Sequence, residues 1–104
     1  MDNERMSEID TLRAMLREND IPFESNIDKR QMHDLYADVD YRNQVIVRCP
    51  DEPEEIRVSC VCHFGSYGVQ KGLIEFYDFF NEPTGFLTAD EAFELVKEKW
   101  EEWK

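Results

Sequence analysis

Two β-rich runs separated by a short acidic break form the centre of the predicted fold. Apolar and polar side chains alternate over residues 56–64, which is the period of a β-strand with one buried face. Residues 43–49 are also rich in β-branched side chains. Between the runs, residues 50–55 hold two prolines and four acids, a composition typical of a turn. We therefore expect the two runs to pair as an antiparallel hairpin.

The N-terminal segment has the apolar spacing of a helix. From Ile9 to Leu16, apolar side chains recur at intervals of three and four residues. Ser7 precedes them at the position of an N-cap, and Arg13 lies off the apolar stripe. We therefore predict a helix over residues 8–19.

The C-terminal segment carries the strongest helix signal in the chain. Thr88 and Glu91 have the spacing of a capping box. Apolar and aromatic residues follow at steps of three and four from Ala89 to Trp103, which predicts a helix over residues 89–103. Trp103 lies one residue from the end of the chain, where helices fray, so it is a candidate for contact with a second subunit.

The remaining segments are less regular. Residues 25–40 are rich in aspartate, and we expect a loop with some helix there. Residues 65–72 hold three of the four glycines and predict a loop. The aromatic density of residues 73–80 favours a third strand, in which Asp78 interrupts an apolar row. Residues 81–85 have the composition of a turn.

The order of these elements predicts an α+β fold. A small antiparallel β-meander would pack against an N-terminal and a C-terminal helix. The length of 104 residues fits one domain, spanning residues 1–104. Hydrophobic residues make up 41% of the chain, which is enough for one core and argues against disorder.

The charge of the chain bears on its partners. Twenty-four acids and twelve bases give a formal net charge of −12. Such a field disfavours direct binding to nucleic acid, because duplex binding uses Lys and Arg to neutralise phosphates. It attracts basic protein surfaces, although solubility alone is an equally good reason for the charge. We find no secretory signal and no membrane-spanning run, so we expect a cytoplasmic protein, a monomer or small homo-oligomer.

Two acidic groups are the candidate surfaces for a basic partner. Neither matches a calcium-binding loop, and each is also explained as a solvated turn or loop. The first group, which we favour, is Asp51, Glu52, Glu54 and Glu55, and the second is Asp34, Asp38 and Asp40.

The cysteines do not form a recognisable metal or disulfide pattern. Cys60 and Cys62 are separated by one residue, so both fall on the apolar face of a strand, whereas zinc ligands are usually spaced C-x₂₋₄-C. We expect small core side chains and neither a metal nor a cofactor. A cysteine nucleophile served by His33 stays open, because only folding could bring the two together.

The glycine-rich loop offers a different kind of site. It lacks the order of a phosphate-binding P-loop, so a long hairpin connection is the default interpretation. Its polar side chains are nevertheless candidate contacts, since functional groups concentrate on loops. These candidates are Ser66, Tyr67 and Lys71, joined by Arg57 if the ligand is a signalling nucleotide.

Three stretches of sequence carry a resemblance to a known group. Residues 56–68, with the Gly-Ser-Tyr-Gly loop, residues 72–75, and residues 85–91, with the Thr-x-x-Glu helix start, resemble small uncharacterised phage and prophage proteins of Gram-positive gut bacteria. The resemblance covers roughly the C-terminal half of the chain. It implies an accessory phage protein inside the host cell, and it transfers no catalytic residue.

Charge and resemblance together favour a binding protein over an enzyme. The first hypothesis is a non-enzymatic phage accessory protein that inhibits a host factor. It would act as an anti-CRISPR-like DNA mimic that blocks the basic nucleic-acid-binding surface of a nuclease or similar protein. The alternative is a small-ligand binder that holds a signalling nucleotide at the glycine loop. An enzyme that works through cysteine or carboxylates is the third possibility.

Overall fold

A computed structural model describes residues 7–28, 42–62 and 72–103. Within them the chain forms two helices and one five-stranded sheet, in the strand order β1-β2-β3-β4-β5 with every neighbouring pair antiparallel. The elements are α1 (Glu8–Glu18), β1 (Glu24–Asp28), β2 (Arg42–Arg48), β3 (Arg57–Val61), β4 (Ile74–Tyr77), β5 (Thr84–Leu87) and α2 (Ala89–Trp103). The predicted α+β fold, a meander with a helix at each end, is confirmed.

The core lies between the two helices and one face of the sheet. Each fully buried aliphatic side chain there stabilises the fold by about 1.5–3 kcal/mol relative to its exposed state. The largest fully buried side chains of the core are Ile9, Leu12 and Leu16 from α1, Val45, Val47, Val58, Cys60 and Ile74 from the sheet, and Val96 from α2. Trp100 and Trp103 are partly buried against this core and meet edge to face, with ring centroids 6.3 Å apart.

Both predicted helix starts are confirmed. The Ser7 hydroxyl accepts a hydrogen bond from the Asp10 backbone N–H at 3.2 Å. The Thr88 N–H donates to Glu91 Oε1 at 2.9 Å, and the Glu91 N–H donates back to the Thr88 hydroxyl at 3.3 Å. In addition, the Ala89 N–H donates to Glu8 Oε1 at 2.7 Å, so a carboxylate of α1 caps α2 and joins the two N-termini.

The sheet has two edge strands that the sequence analysis did not predict. β1 occupies residues 24–28, and we expected a loop from residue 25 onwards; β5 occupies residues 84–87, and we expected a turn over residues 81–85. Both strands lie at a sheet edge, and none of their described side chains is buried, so neither has the apolar alternation of a strand with one core-facing side. β3 and β4 lie inside the segments predicted for them but are shorter.

Arg13, which lies off the apolar stripe of α1, is nevertheless buried, and only 4% of it is exposed. Its guanidinium donates to the Ser25 hydroxyl at 2.7 Å, to Asp10 Oδ1 at 2.8 Å and to Asn43 Oδ1 at 2.6 Å. These acceptors lie on α1, β1 and β2, so one side chain ties the first helix to two strands.

Asp78 does more than interrupt a strand. It follows β4, and its buried carboxylate accepts hydrogen bonds from the backbone N–H groups of Phe80 and Asn81 at 3.0 and 2.9 Å. Lys99 Nζ of α2 lies 3.5 Å from Asp78 Oδ2. Burial acts to raise the pKa of Asp78, but these hydrogen bonds and the lysine outweigh it and lower the pKa from 3.8 to about 2.

Candidate functional site

The favoured acidic group forms a hydrogen-bonded turn between β2 and β3. The Cys49 N–H donates to the Ile56 carbonyl at 2.9 Å and closes the hairpin. Inside it, the N–H groups of Glu55 and Ile56 donate to the Glu52 carbonyl at 3.2 and 3.0 Å. All four carboxylate side chains of this segment are exposed. We call them the acidic turn, made up of Asp51, Glu52, Glu54 and Glu55.

Two arginines hold the backbone of the acidic turn. Arg48 Nη1 donates to the Pro53 carbonyl at 2.8 Å, and Arg57 Nη1 donates to the Glu54 carbonyl at 3.1 Å. Arg48 also pairs with Glu24 of β1, at 2.5 Å from Nε to Oε2. In the described part of the chain, no hydrogen bond or ion pair joins either arginine to an acidic-turn carboxylate, so these carboxylates are left to face solvent.

The Glu24–Arg48 pair also perturbs titration. The hydrogen bond from Arg48 outweighs burial and lowers the pKa of Glu24. Reciprocally, the hydrogen bond to Glu24 raises the pKa of Arg48, with a smaller Coulombic contribution from Glu54. Both partners therefore stay ionised at neutral pH, and the charge of Arg48 is committed to Glu24 and to the backbone of the turn.

An apolar groove lies beside the acidic turn. Its volume is about 200 Å³, and its apolar lining comes from Pro22 and Phe23 ahead of β1, Ile46 of β2, and Pro50 and Pro53 of the turn. The paired side chains of Glu24 and Arg48 also line it. A charged, exposed turn and an apolar recess therefore share one edge of the molecule.

A second acidic surface runs along α2. With about 100° between successive residues, its exposed side chains share one face of a helix roughly 22 Å long. Lys97 is an exposed base on the same face. We call this face the acidic helix face, and its exposed carboxylates are Asp90, Glu91, Glu94, Glu98, Glu101 and Glu102.

Aromatic side chains stand exposed near β4 and β5. Phe79 has φ 70°, a left-handed conformation that costs a bulky residue about 1–3 kcal/mol. Its ring lies 4.7 Å from the Arg57 guanidinium carbon and 4.5 Å from the Tyr77 ring centroid. Phe80 is 72% exposed, and Phe86 is 58% exposed with φ 59°. Phe79 thus contacts Arg57, which in turn donates to the backbone of the acidic turn, whereas Phe80 and Phe86 face solvent.

Several predicted site residues lie outside the described part of the chain. This applies to the second acidic group, to the polar side chains of the glycine loop and to the candidate base His33. The residues concerned are Asp34, Asp38, Asp40, Ser66, Tyr67 and Lys71. Arg57 is described, and it contacts Glu54 and Phe79.

The cysteine chemistry can be judged directly. Cys49 and Cys60 are buried, and Cys62 is half-buried. Burial raises the pKa of the Cys60 thiol to about 12, so it is protonated at neutral pH and a poor nucleophile. Within residues 7–28, 42–62 and 72–103, no three His, Cys, Asp or Glu side chains are placed to hold a metal ion. No helix in these ranges is long and apolar enough to cross a membrane.

Comparison with known proteins adds no family. No protein-family model, curated protein or solved structure matches this chain. The resemblance to phage accessory proteins therefore stays a prediction.

Two features of the site were missed in the sequence. The acidic helix face could have been predicted, because Asp90, Glu94, Glu98 and Glu102 recur every fourth residue within a predicted helix. The groove could not be predicted, because Pro22 and Pro53 are distant in sequence and line the same recess only in the folded chain.

Proposed function

We propose that this protein is a non-enzymatic binding protein that docks through its acidic turn on a basic surface of another protein. The observation that carries the proposal is the arrangement of four exposed carboxylates on a turn whose backbone is held by Arg48 and Arg57. Charges fixed in place before binding lose less conformational entropy on association than charges on a mobile loop.

The partner that suits this surface is a protein that normally binds phosphates. A groove lined with Lys and Arg attracts carboxylates as it attracts nucleic acid, and a negatively charged protein approaches it under long-range attraction. In the setting implied by the phage resemblance, the partner is a host protein such as a CRISPR nuclease. Occupation of its groove by the acidic turn would exclude DNA, which makes the protein an inhibitor.

The acidic helix face has a different part in this proposal. It adds six carboxylates to the field of the molecule, and the open hollow of about 600 Å³ along it is lined by four glutamates, Lys97 and Leu95, whereas prolines, Phe23 and Ile46 wall the groove at the turn. Exposed charges at the rim of an interface act mainly on the association rate, whereas groups at its centre act on dissociation. We assign steering to the acidic helix face and contact to the acidic turn.

The test compares two variants with the same change in net charge. In the turn variant, Asp51→Asn, Glu52→Gln, Glu54→Gln and Glu55→Gln remove four charges. In the helix variant, Glu94→Gln, Glu98→Gln, Glu101→Gln and Glu102→Gln also remove four. Each takes the formal charge from −12 to −8. Binding to a panel of host nucleic-acid-binding proteins that includes a CRISPR nuclease is measured, with duplex DNA as competitor.

We expect the turn variant to lose at least about tenfold in affinity, or roughly 1.4 kcal/mol, and the helix variant about threefold or less. The affinity of the unmodified protein should also fall as salt rises, because screening weakens exposed charges. Equal losses in both variants would show that net charge alone governs binding. Absence of binding to every member of the panel at low salt would contradict the proposal.

A further inference from the structure

The groove beside the acidic turn has a shape that charge alone does not require. Its apolar walls come from three separate parts of the chain: Pro22 and Phe23, Ile46 of β2, and Pro50 with Pro53. Three of these side chains are proline rings, whose fixed φ leaves little freedom to lose on binding. The recess is therefore preformed, and its apolar surface gains free energy when a complementary group covers it.

The size of the groove limits what it can hold. Sites for drug-sized small molecules have volumes of about 300–1,000 Å³. At about 200 Å³ the groove is smaller than these sites and has room for a single amino-acid side chain. Its apolar lining suits an aliphatic side chain better than a charged one.

The surroundings of the groove set the charge of whatever carries that side chain. Asp51 and Glu52 directly follow Pro50 of the groove wall, and both are exposed. The cation that lines the groove, Arg48, is already engaged by Glu24 and by the Pro53 carbonyl. The net field at the mouth of the groove is negative, so it repels an acidic segment and attracts a basic one.

We propose that the groove seats one aliphatic side chain of a basic segment of the partner protein, with flanking Lys or Arg side chains on the acidic turn. This inference rests on the proposed function and makes it more specific. An anchor in a pocket, ringed by charged contacts, is the arrangement in which a few residues carry most of the binding energy. The partner surface should therefore combine positive charge with an exposed aliphatic side chain.

Two synthetic peptides of equal charge test this directly. One alternates lysine with leucine and the other alternates lysine with serine, each about ten residues long. Methyl NMR spectra of the whole protein report occupancy at Ile46, which lines the groove, while Ile9 and Ile74 in the core serve as internal controls. The leucine peptide should shift the Ile46 signal and bind at least about fivefold tighter, roughly 1 kcal/mol, than the serine peptide.

A matched pair of variants locates the effect. Ile46→Ser removes an apolar wall of the groove, whereas Ile27→Ser removes an isoleucine that is 51% exposed on β1 and does not line it. With the leucine peptide, Ile46→Ser should lower the affinity to that of the serine peptide, and Ile27→Ser should leave it unchanged within about twofold. Circular dichroism confirms that both variants are folded.

The outcomes separate this inference from the proposed function. If both peptides bind equally well and the turn variant loses both, the acidic turn docks basic segments but the groove has no part, and the inference is wrong. If neither peptide binds at low salt, the inference and the proposed docking function are both wrong. A leucine peptide that shifts core signals as much as Ile46 would also count against the groove.

Discussion

Two buried charged side chains fasten opposite edges of the sheet to different helices. Arg13 of α1 reaches Ser25 of β1 and Asn43 of β2. Asp78, which follows β4, accepts from the loop backbone and lies 3.5 Å from Lys99 of α2. The charge is positive at one edge and negative at the other, yet both are satisfied by hydrogen bonds made largely with neutral groups.

The two edges differ in how they respond to conditions. The Arg13 guanidinium donates to the neutral oxygens of Ser25 and Asn43, which do not titrate, so these hydrogen bonds persist as long as the fold does. Asp78 is titratable, and acid neutralises it together with its attraction to Lys99. Similar burial therefore gives interactions that do not depend on pH at the β1–β2 edge and interactions that weaken in acid at the β4–β5 edge.

The largest expected effect is on the arginine side. Arg13→Met keeps much of the buried volume but removes the hydrogen bonds to Ser25 and Asn43. We expect a loss of about 2–4 kcal/mol in the free energy of unfolding, measured by urea denaturation, because a buried charge-assisted network is broken. Arg17→Met is the matched control on the same helix, where the arginine is exposed and lies over the Phe23 ring.

The control should lose no more than about 1 kcal/mol, the usual size of an exposed cation–π contact. Equal losses in Arg13→Met and Arg17→Met would mean that the buried network adds nothing beyond helix-surface packing. The claim that the buried Arg13 network stabilises the β1–β2 edge of the sheet would then be wrong.

Arg13 and Asp78 also show which features could be predicted from the sequence and which could not. Helical spacing and capping residues are local, and they located both helices to within a residue. Asp10, three residues before Arg13, is a local partner, but Ser25 and Asn43 lie 12 and 30 residues further along the chain, so the sequence did not show that Arg13 is buried and Arg17 exposed. For Asp78 the break in the apolar row was visible, but Lys99 as its partner was not.

The same distinction applies to the sheet and the site. β2, β3 and β4 could be predicted from the sequence because central strands bury apolar side chains. The edge strand β1 has a mostly polar sequence, and β5 includes Gly85, so neither was recognised. The acidic turn was predicted because its prolines and acids are contiguous. The groove was not predicted, because its walls, among them Pro22 and Pro53, come from segments that are distant in sequence.

An intermediate effect is expected at Asp78, with a sign set by its pKa. A carboxyl whose pKa is about 2 when folded and near 3.8 when unfolded stabilises the fold above pH 4. That contribution is lost as the pH falls from about 4 to 2. Asp78→Asn should therefore cost about 1–2 kcal/mol at pH 7 and almost nothing at pH 2, measured by denaturation across this range.

Other carboxyl groups titrate over the same range, so the informative quantity is the difference in stability between the unmodified protein and Asp78→Asn. The gap should close on acidification. A gap of constant size would show that Asp78 acts through shape and neutral hydrogen bonds, and the proposed contrast with Arg13 would disappear.

The smallest expected effect comes from an ion pair that is not buried. Glu24 and Arg48 are in direct contact, but about half of the Glu24 side chain is exposed, where water screens the interaction. Glu24→Gln should therefore leave the melting temperature unchanged within error at physiological salt. Because the pKa of Glu24 is lowered, any stability that it contributes should be lost on acidification, and a carbon-detected NMR titration should give a pKa below the usual 4.5. If Glu24→Gln destabilises the fold as much as Asp78→Asn, burial is not what gives the charges at the sheet edges their strength.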